Sequence, residues 1–260
     1  SSDGGKNFSA WENLSSTSSV SGAPWVAASG QHVYVIWSES TDGYYLRYSN
    51  DFGATFGIAK NITALFGVPP FGSCAMAASG NNVLLSCMQS VSGNNEIVVA
   101  RSNDNGTTFS APQNVSLSPS TTSNKSRIAA SGSHVYVAWE EGTGSASEIF
   151  LARSVDNGVS FATPTNMSLT AVNSTSVSLD ADGSNVWLAW SERSPGNDDV
   201  FYRRSTNSGE SFSAPDNLSL TPSGSSTPFV KGKGNQVWVA WADAPTSNPI
   251  SNLPDIYVRS

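Results

Sequence analysis

Charged residues are scarce in this chain, and basic ones scarcer still: 13 Lys and Arg stand against 20 Asp and Glu in 260 residues, for a net charge of −7. A chain so poor in cations competes badly for a phosphate backbone or an anionic membrane surface, so neither nucleic acid nor a membrane is expected as a partner. No apolar run approaches the roughly 20 residues of a spanning helix, so no membrane insertion is expected either. No apolar leader or initiator Met is present; a mature, processed secreted chain would read this way, as would one trimmed from a longer protein. Only two histidines occur, His32 and His134, and they do not combine with other residues into metal-ligand spacing, so no metal and no cofactor is expected. No window sustains a 3.6-residue apolar period, which excludes amphipathic helices and leaves an all-β chain.

What is present is a repeat. SSDGGKNFS at Ser1 recurs as SNDFGATFG at Ser49, SNDNGTTFS at Ser102, SVDNGVSFA at Ser154 and STNSGESFS at Ser205. The steps between these serines are 48, 53, 52 and 51 residues, and the step from Ser205 through Ser260 back to Ser1 is 56. Periods near 50 point to propellers or solenoids. Each period holds a short apolar run, a Gly turn, a β-branched and aromatic run such as Val135 to Trp139, a second such run such as Glu148 to Arg153, and a final short one. Four strands with turns between them make one antiparallel propeller blade. The expectation is a single five-bladed β-propeller domain over residues 1–260.

The turn motif has a mechanism. Asn-Gly and related pairs supply the φ > 0 positions of a tight hairpin. The carboxylate of Asp3, Asp51, Asp104 and Asp156, or the amide oxygen of Asn207, can accept backbone N–H bonds and hold the turn shut. Phe8, Phe56, Phe109, Phe161 and Phe212, each five residues further on, can fold onto the apolar layer between blades. These motifs resemble the Asp-box (BNR) repeat of sialidase-like propellers, in all five copies, and are most similar to extracellular archaeal and bacterial repeat proteins of that type. The resemblance implies the fold; in that family the Asp box lies on the face away from the active site, so it implies little about activity.

Tyr257 to Ser260 followed by Ser1 to Gly5 reads YVRSSSDGG, which aligns without a gap on YLRYSNDFG at residues 45–53. The ring is therefore expected to close by the N-terminal segment, Ser1 to about Leu14, supplying the outermost strand of the last blade, which would remove an open sheet edge. The same segment could instead complete a neighbour's last blade and assemble copies by strand exchange.

Cys87 takes the place of Trp37, Trp139, Trp190 and Trp241 in the other repeats, and Cys74 lies on the preceding strand. Folding that hairpin about Gly80-Asn81 sets the two opposite each other, within disulfide range. A Cys74–Cys87 bond is expected, with two buried thiols as the alternative, and it would favour an extracellular or cell-surface location. Sequons recur once per blade at Asn13, Asn61, Asn114, Asn166 and Asn217, with others at Asn7, Asn105, Asn124 and Asn173. They are candidate glycosylation sites, or by-products of a repeat in which Asn ends a strand and Ser begins a loop.

Two residues beyond each Trp position stand Glu39, Gln89, Glu141, Glu192 and Asp243. Such a collar could bind a cation or sugar hydroxyls, or could tie each blade to its own loop. Departures from the repeat are sharper clues. Ala27, Ala77 and Ala129 become Asp180 and Lys231, and Ser29, Ser79 and Ser131 become Asp182 and Lys233, which predicts two salt bridges between neighbouring blades. Arg47, Arg203 and Arg259 share one repeat position and Arg101, Arg153 and Arg204 the next, which reads as a solvated ladder. Arg127 alone opens a first strand with a cation near the axis, a ligand-binding candidate.

A sialidase needs an arginine triad, a Tyr with its Glu and an Asp acid/base, and the resembled sialidases have six blades; five-bladed glycosidases carry carboxylates at the axial strand ends. Arg127 is the one matching element here, so no catalytic residue is assigned. The sequence points to a non-enzymatic extracellular propeller that binds glycans or other surface proteins or builds a surface assembly, with a sialidase-type glycoside hydrolase as the alternative.

Overall fold

A computed structural model describes residues 1, 3–40, 43–66, 71–143, 146–193, 196–244 and 254–260. It is all-β but for one short 3₁₀ turn at Thr63–Phe66. Five antiparallel sheets follow one another as the blades of a β-propeller. Blade one holds β1 (Ser21–Ser29), β2 (His32–Glu39), β3 (Gly43–Ser49) and β4 (Lys60–Asn61); blade two β5 (Phe71–Ser79), β6 (Asn82–Val91), β7 (Asn94–Ser102) and β8 (Gln113–Asn114). Blade three holds β9 (Thr122–Ser131), β10 (His134–Thr143), β11 (Ala146–Ser154) and β12 (Thr165–Asn166); blade four β13 (Ser174–Asp182), β14 (Asn185–Arg193), β15 (Asp198–Ser205) and β16 (Asp216–Asn217). Blade five has three strands: β17 (Ser225–Lys233), β18 (Gln236–Asp243) and β19 (Asp255–Arg259).

Each blade is a meander because its turns permit nothing longer and its strands alternate large apolar residues on the pleat. The second-strand Trp stacks on the third-strand aromatic opposite it: Trp37 on Tyr45, Trp139 on Phe150, Trp190 on Phe201 and Trp241 on Tyr257, with centroids 6.0 to 6.3 Å apart. Blade two lacks that Trp and carries instead the Cys74–Cys87 disulfide, with Cα atoms 4.3 Å apart, buried in the layer shared with blade one.

The motif turns close as their residues predict. Ser49 Oγ–H donates to Asp51 Oδ1 at 2.6 Å, and the Gly53 N–H donates to Ser49 Oγ at 2.8 Å. The Thr55 N–H and hydroxyl donate to the two oxygens of Asp51. Asp104 and Asp156 repeat this network with Thr108 and Ser160, and Asp3 does so with the N–H and amide of Asn7; Asn207 accepts the Ser211 N–H but donates its amide to the Ser211 hydroxyl. Asn207 keeps the turn because its amide oxygen still accepts. Phe109, Phe161 and Phe212 pack on the cores between blades one and two, two and three, and three and four.

The apolar interior is four layers, one between each consecutive pair of blades. The innermost strands β1, β5, β9, β13 and β17 pack each on the next, yet among the described residues no comparable packing joins β17 to β1. The expected completion of blade five by the N-terminal segment is not present among the described residues, where no strand precedes Ser21 and β19 pairs only with β18. The reason is physical. In blades one to four the fourth strand is a two-residue ladder that follows its own third strand through the motif turn and the segment after it. Glu12-Asn13 has no such link to β19, and two residues of pairing offset little of the entropy of joining distant segments.

Between blades four and five the expected ion pairs form: Lys231 Nζ lies 2.8 Å from Asp180 Oδ1, and Lys233 Nζ 2.8 Å from Asp182 Oδ1. The carboxylates also accept the Gly232 and Gly234 N–H groups, so they fix register more than they stabilise. The third-strand arginines are a solvated ladder only in part: Arg204 and Arg259 are exposed, whereas Arg47, Arg101, Arg153 and Arg203 are half-buried. Arg203 donates to the Met167 carbonyl of blade three and Arg259 to the Leu218 carbonyl of blade four, so each clamps the outer strand of the preceding blade, while Arg153 pairs with Glu210.

Candidate axial binding site

Every innermost strand bends at one place. Ala23, Gly72, Lys125, Ser176 and Thr227 have positive φ, and the pairing with the second strand shifts register there. A bulge at one height in all five blades re-aims the side chains that follow it toward the axis. Immediately past the bulge, Trp25 pairs with Ile36, Ala75 with Ser86, Arg127 with Ala138, Ser178 with Ala189 and Phe229 with Ala240. One structural position thus carries Trp, Ala, Arg, Ser and Phe. These strands line an axial cavity of about 550 Å³ to which all five blades contribute. A second recess of about 430 Å³ shares Trp25, Arg127, Ser178 and Phe229 with it and adds Lys125, Glu140 and Ser176.

Arg127 is half-buried, its guanidinium carbon 5.4 Å from the centre of the Trp25 ring. The Trp25 indole is held by donating to the Met76 carbonyl of blade two at 2.8 Å, and Arg127 donates to the Ser126 carbonyl at 3.0 Å. Burial pulls the Arg127 guanidinium below its ordinary value and the nearby Glu140 charge opposes this; an arginine so placed remains a cation. Glu140 is buried, with Lys125 Nζ at 3.2 Å from Oε2 and the Ser176 N–H donating to Oε1 at 2.7 Å. Its carboxylate ties blade three to the bulge of blade four. Two aromatic faces and one desolvated cation in an open cavity suit the apolar face of a sugar ring that bears an anionic substituent. Among the described residues each cavity contains one carboxylate, Glu140 or Asp180, and each is ion-paired.

The collar residues sit elsewhere, each on its own blade. Glu39, Glu141 and Glu192 accept the indole N–H of Trp37, Trp139 and Trp190 at 2.7, 2.8 and 2.9 Å. Glu39 also accepts from Thr17 and Ser21, Glu141 from Thr121, Glu192 from Ser174, and Asp243 from Thr221, Ser223 and Ser225. The Gln89 amide donates to the Phe66 carbonyl. Burial works to raise the Glu39 carboxyl, but the hydrogen bonds from Ser21, Trp37 and Thr17 together hold it below the usual range. For Glu192 burial prevails over Trp190 and Ser174 and its carboxyl is raised.

Among the sequons, Asn13, Asn114, Asn166 and Asn217 each accept a backbone N–H two or three residues on, in a turn just outside the fourth-strand position. Asn217 also donates to Asp199, Asn173 accepts the Ser147 N–H, Asn61 accepts the Thr63 N–H, and Asn124 lies on β9 opposite Glu140. Among the described residues no group of three His, Cys, Asp or Glu side chains could hold a metal. Sequence reasoning reached Arg127 but passed over Glu140, which replaces Ser38, Met88, Ser191 and Ala242, a departure visible in the sequence. It also passed over Trp25 and Phe229, which hold the same repeat position as Arg127 but as aromatics read equally as core.

No family model and no curated protein matches the sequence. Solved structures do share its fold. A protein of unknown function from Dyadobacter fermentans aligns over 92% of this chain and 75% of its own, with a TM-score of 0.63 and 16% identity. A thermostable family-43 glycoside hydrolase aligns over 92% and 89%, with a TM-score of 0.52 and 11% identity. A Hadza microbial sialidase aligns over 86% of this chain and 50% of its own, with a TM-score of 0.53 and 14% identity. At these identities the likeness is one of β-propeller fold.

Proposed function

We propose that this protein is a non-enzymatic extracellular propeller of the sialidase-like, Asp-box type, and that it binds an acidic glycan at its axial mouth. The observation that carries the reading is the broken symmetry past the bulge, where Trp25, Arg127 and Phe229 replace what would otherwise be five equivalent small residues. Arg127 supplies a planar pair of donors for a carboxylate or sulfate, and Trp25 and Phe229 supply surfaces for a sugar ring. Hydrolysis would need two carboxyl groups about 5–10 Å apart across the bond cleaved, and among the described residues the two carboxylates that line these adjoining cavities, Glu140 and Asp180, are each ion-paired to a lysine. The buried disulfide supports an oxidising location.

Titration with oligosaccharides containing uronic or sialic acid, against neutral ones of equal length, tests the reading. Acidic chains should bind, and Arg127→Ala should weaken them by roughly tenfold or more, about 1.4 kcal/mol. Turnover of a fluorogenic sialoside or another glycoside, lost in Arg127→Ala, would establish the hydrolase instead.

A further inference from the structure

Among the described residues, the two axial cavities are lined by three cations, Lys125, Arg127 and Lys231, and by two carboxylates, Glu140 and Asp180. Both lysines are spoken for: Lys231 lies 2.8 Å from Asp180 and Lys125 3.2 Å from Glu140. Arg127 alone of the three has no ion-pair partner among the described residues, and its listed neighbour is the Ser126 carbonyl. The lining therefore offers a ligand one positive charge in excess.

Glu140 is what keeps that number at one. It stands where the other blades carry Ser38, Met88, Ser191 and Ala242, so nothing in the repeat requires a carboxylate there. It is 5% exposed, and besides Lys125 it accepts the Ser176 N–H. Lys125 sits on the bulge at φ 48°, two residues before Arg127, with its side chain 63% exposed. Were residue 140 neutral, the Lys125 ammonium would be a second free cation at the mouth.

The surroundings act in the same direction. Glu39, Glu141, Glu192 and Asp243 pair with Ser21, Ser123, Ser174 and Ser225 at the starts of the innermost strands, the end of the blades that carries the bulges. A second anionic group on a ligand thus approaches carboxylates, on a chain whose net charge is −7.

We infer that the axial site selects a glycan with one acidic group beside neutral units, and that Glu140 sets this limit by holding Lys125. The inference rests on the reading of the site as a seat for an acidic glycan and adds its specificity. A single uronate or sulfate meets Arg127, whereas the further charges of a polyuronate or heavily sulfated chain find no cation.

Calorimetric titration tests this with oligosaccharides of equal length that carry no uronic acid, one, or one on each of two adjacent units. The quantity read is the ratio of two-acid to one-acid affinity, compared between proteins so that the statistical advantage of a second acid cancels. Glu140→Gln keeps an acceptor for the Ser176 N–H, so the fold should survive, which circular dichroism verifies. With Lys125 released, the ratio should rise roughly two- to fivefold over wild type, the worth of an exposed ion pair. Adding Lys125→Gln to Glu140→Gln should return the ratio to the wild-type value, whereas damage to the fold would weaken both chains alike. Lys125→Gln by itself alters an exposed side chain and serves if Glu140→Gln does not fold. It leaves Glu140 uncompensated beside Arg127, so the one-acid chain should bind roughly two- to fivefold more weakly. An unchanged ratio in Glu140→Gln, a raised ratio that persists in the double variant, or unchanged affinity in Lys125→Gln overturns the inference. So does a wild-type preference for two acids beyond the statistical factor. These outcomes leave the acidic-glycan reading standing; failure of the wild-type protein to bind any acidic chain overturns both.

Discussion

The disulfide is the most direct test of how blade two is held. Cys74 and Cys87 are separated by 13 residues and buried in the layer between blades one and two, where the other blades place a Trp. Cross-linking a loop of this size contributes about 3 kcal/mol by restricting the unfolded chain. Unfolding entropy of about 2.1 cal/mol/K per residue converts this into a Tm loss of roughly 5 °C for a chain of 260 residues. Both sulfurs are shielded, so reduction should be done in denaturant, followed by refolding with and without reductant and a calorimetric scan of each. Cys74→Ala with Cys87→Ala should melt lower still, because removing two buried sulfurs leaves space worth about 1–2 kcal/mol more. Oxidised and reduced protein melting within about 1 °C of each other would refute the reasoning, since loop closure could not then be a main source of this blade's stability.

Four further outcomes follow from the turns and the collar. Asp3, Asp51, Asp104 and Asp156 are held at about 2, each chiefly by a side-chain hydrogen bond from a turn Ser or Thr, against an ordinary value of 3.8. Depressed carboxyls stabilise the fold fully above pH about 4 and lose that contribution as pH falls toward 2, so the thermal midpoint should drop over that window, and less steeply in Asp104→Asn. In urea titrations at neutral pH, Glu39→Gln should destabilise more than Glu192→Gln, because hydrogen bonds favour the Glu39 charge while burial disfavours that of Glu192. Glu192→Ala, which strips the acceptor from the buried Trp190 and Ser174 donors, should cost about 1–3 kcal/mol. Leu169 is exposed at φ 59° with its N–H on Asn166, so Leu169→Asn should raise stability by roughly 0.5–1 kcal/mol in the same assay.

How far the sequence reaches is clearest in single residues. Asp51 and Thr55 act within one turn, so their bonds follow from spacing alone. Cys74 and Cys87 face each other because a hairpin's register is set by its loop, and Asp180 meets Lys231 because neighbouring blades repeat one geometry. Arg203 and Arg259 were misread because an arginine's partner lies on the preceding blade, where no local pattern announces it. Trp25 and Phe229 share the repeat position of Arg127, two residues before Ala27, Lys231 and Ala129, but an aromatic there reads equally as core, and only the fold turns that position toward the axis.

By itself, then, the order of residues determined everything that a turn or a hairpin settles: five antiparallel blades, their Ser-x-Asp-x-Gly corners, the disulfide and the matched charges of blades four and five. Tertiary structure alone decided what meets across the axis. Whether Trp25 lies under Arg127 depends on how five rigid wedges sum around a ring. Small angular differences accumulate over that circuit, and no stretch of chain contains them.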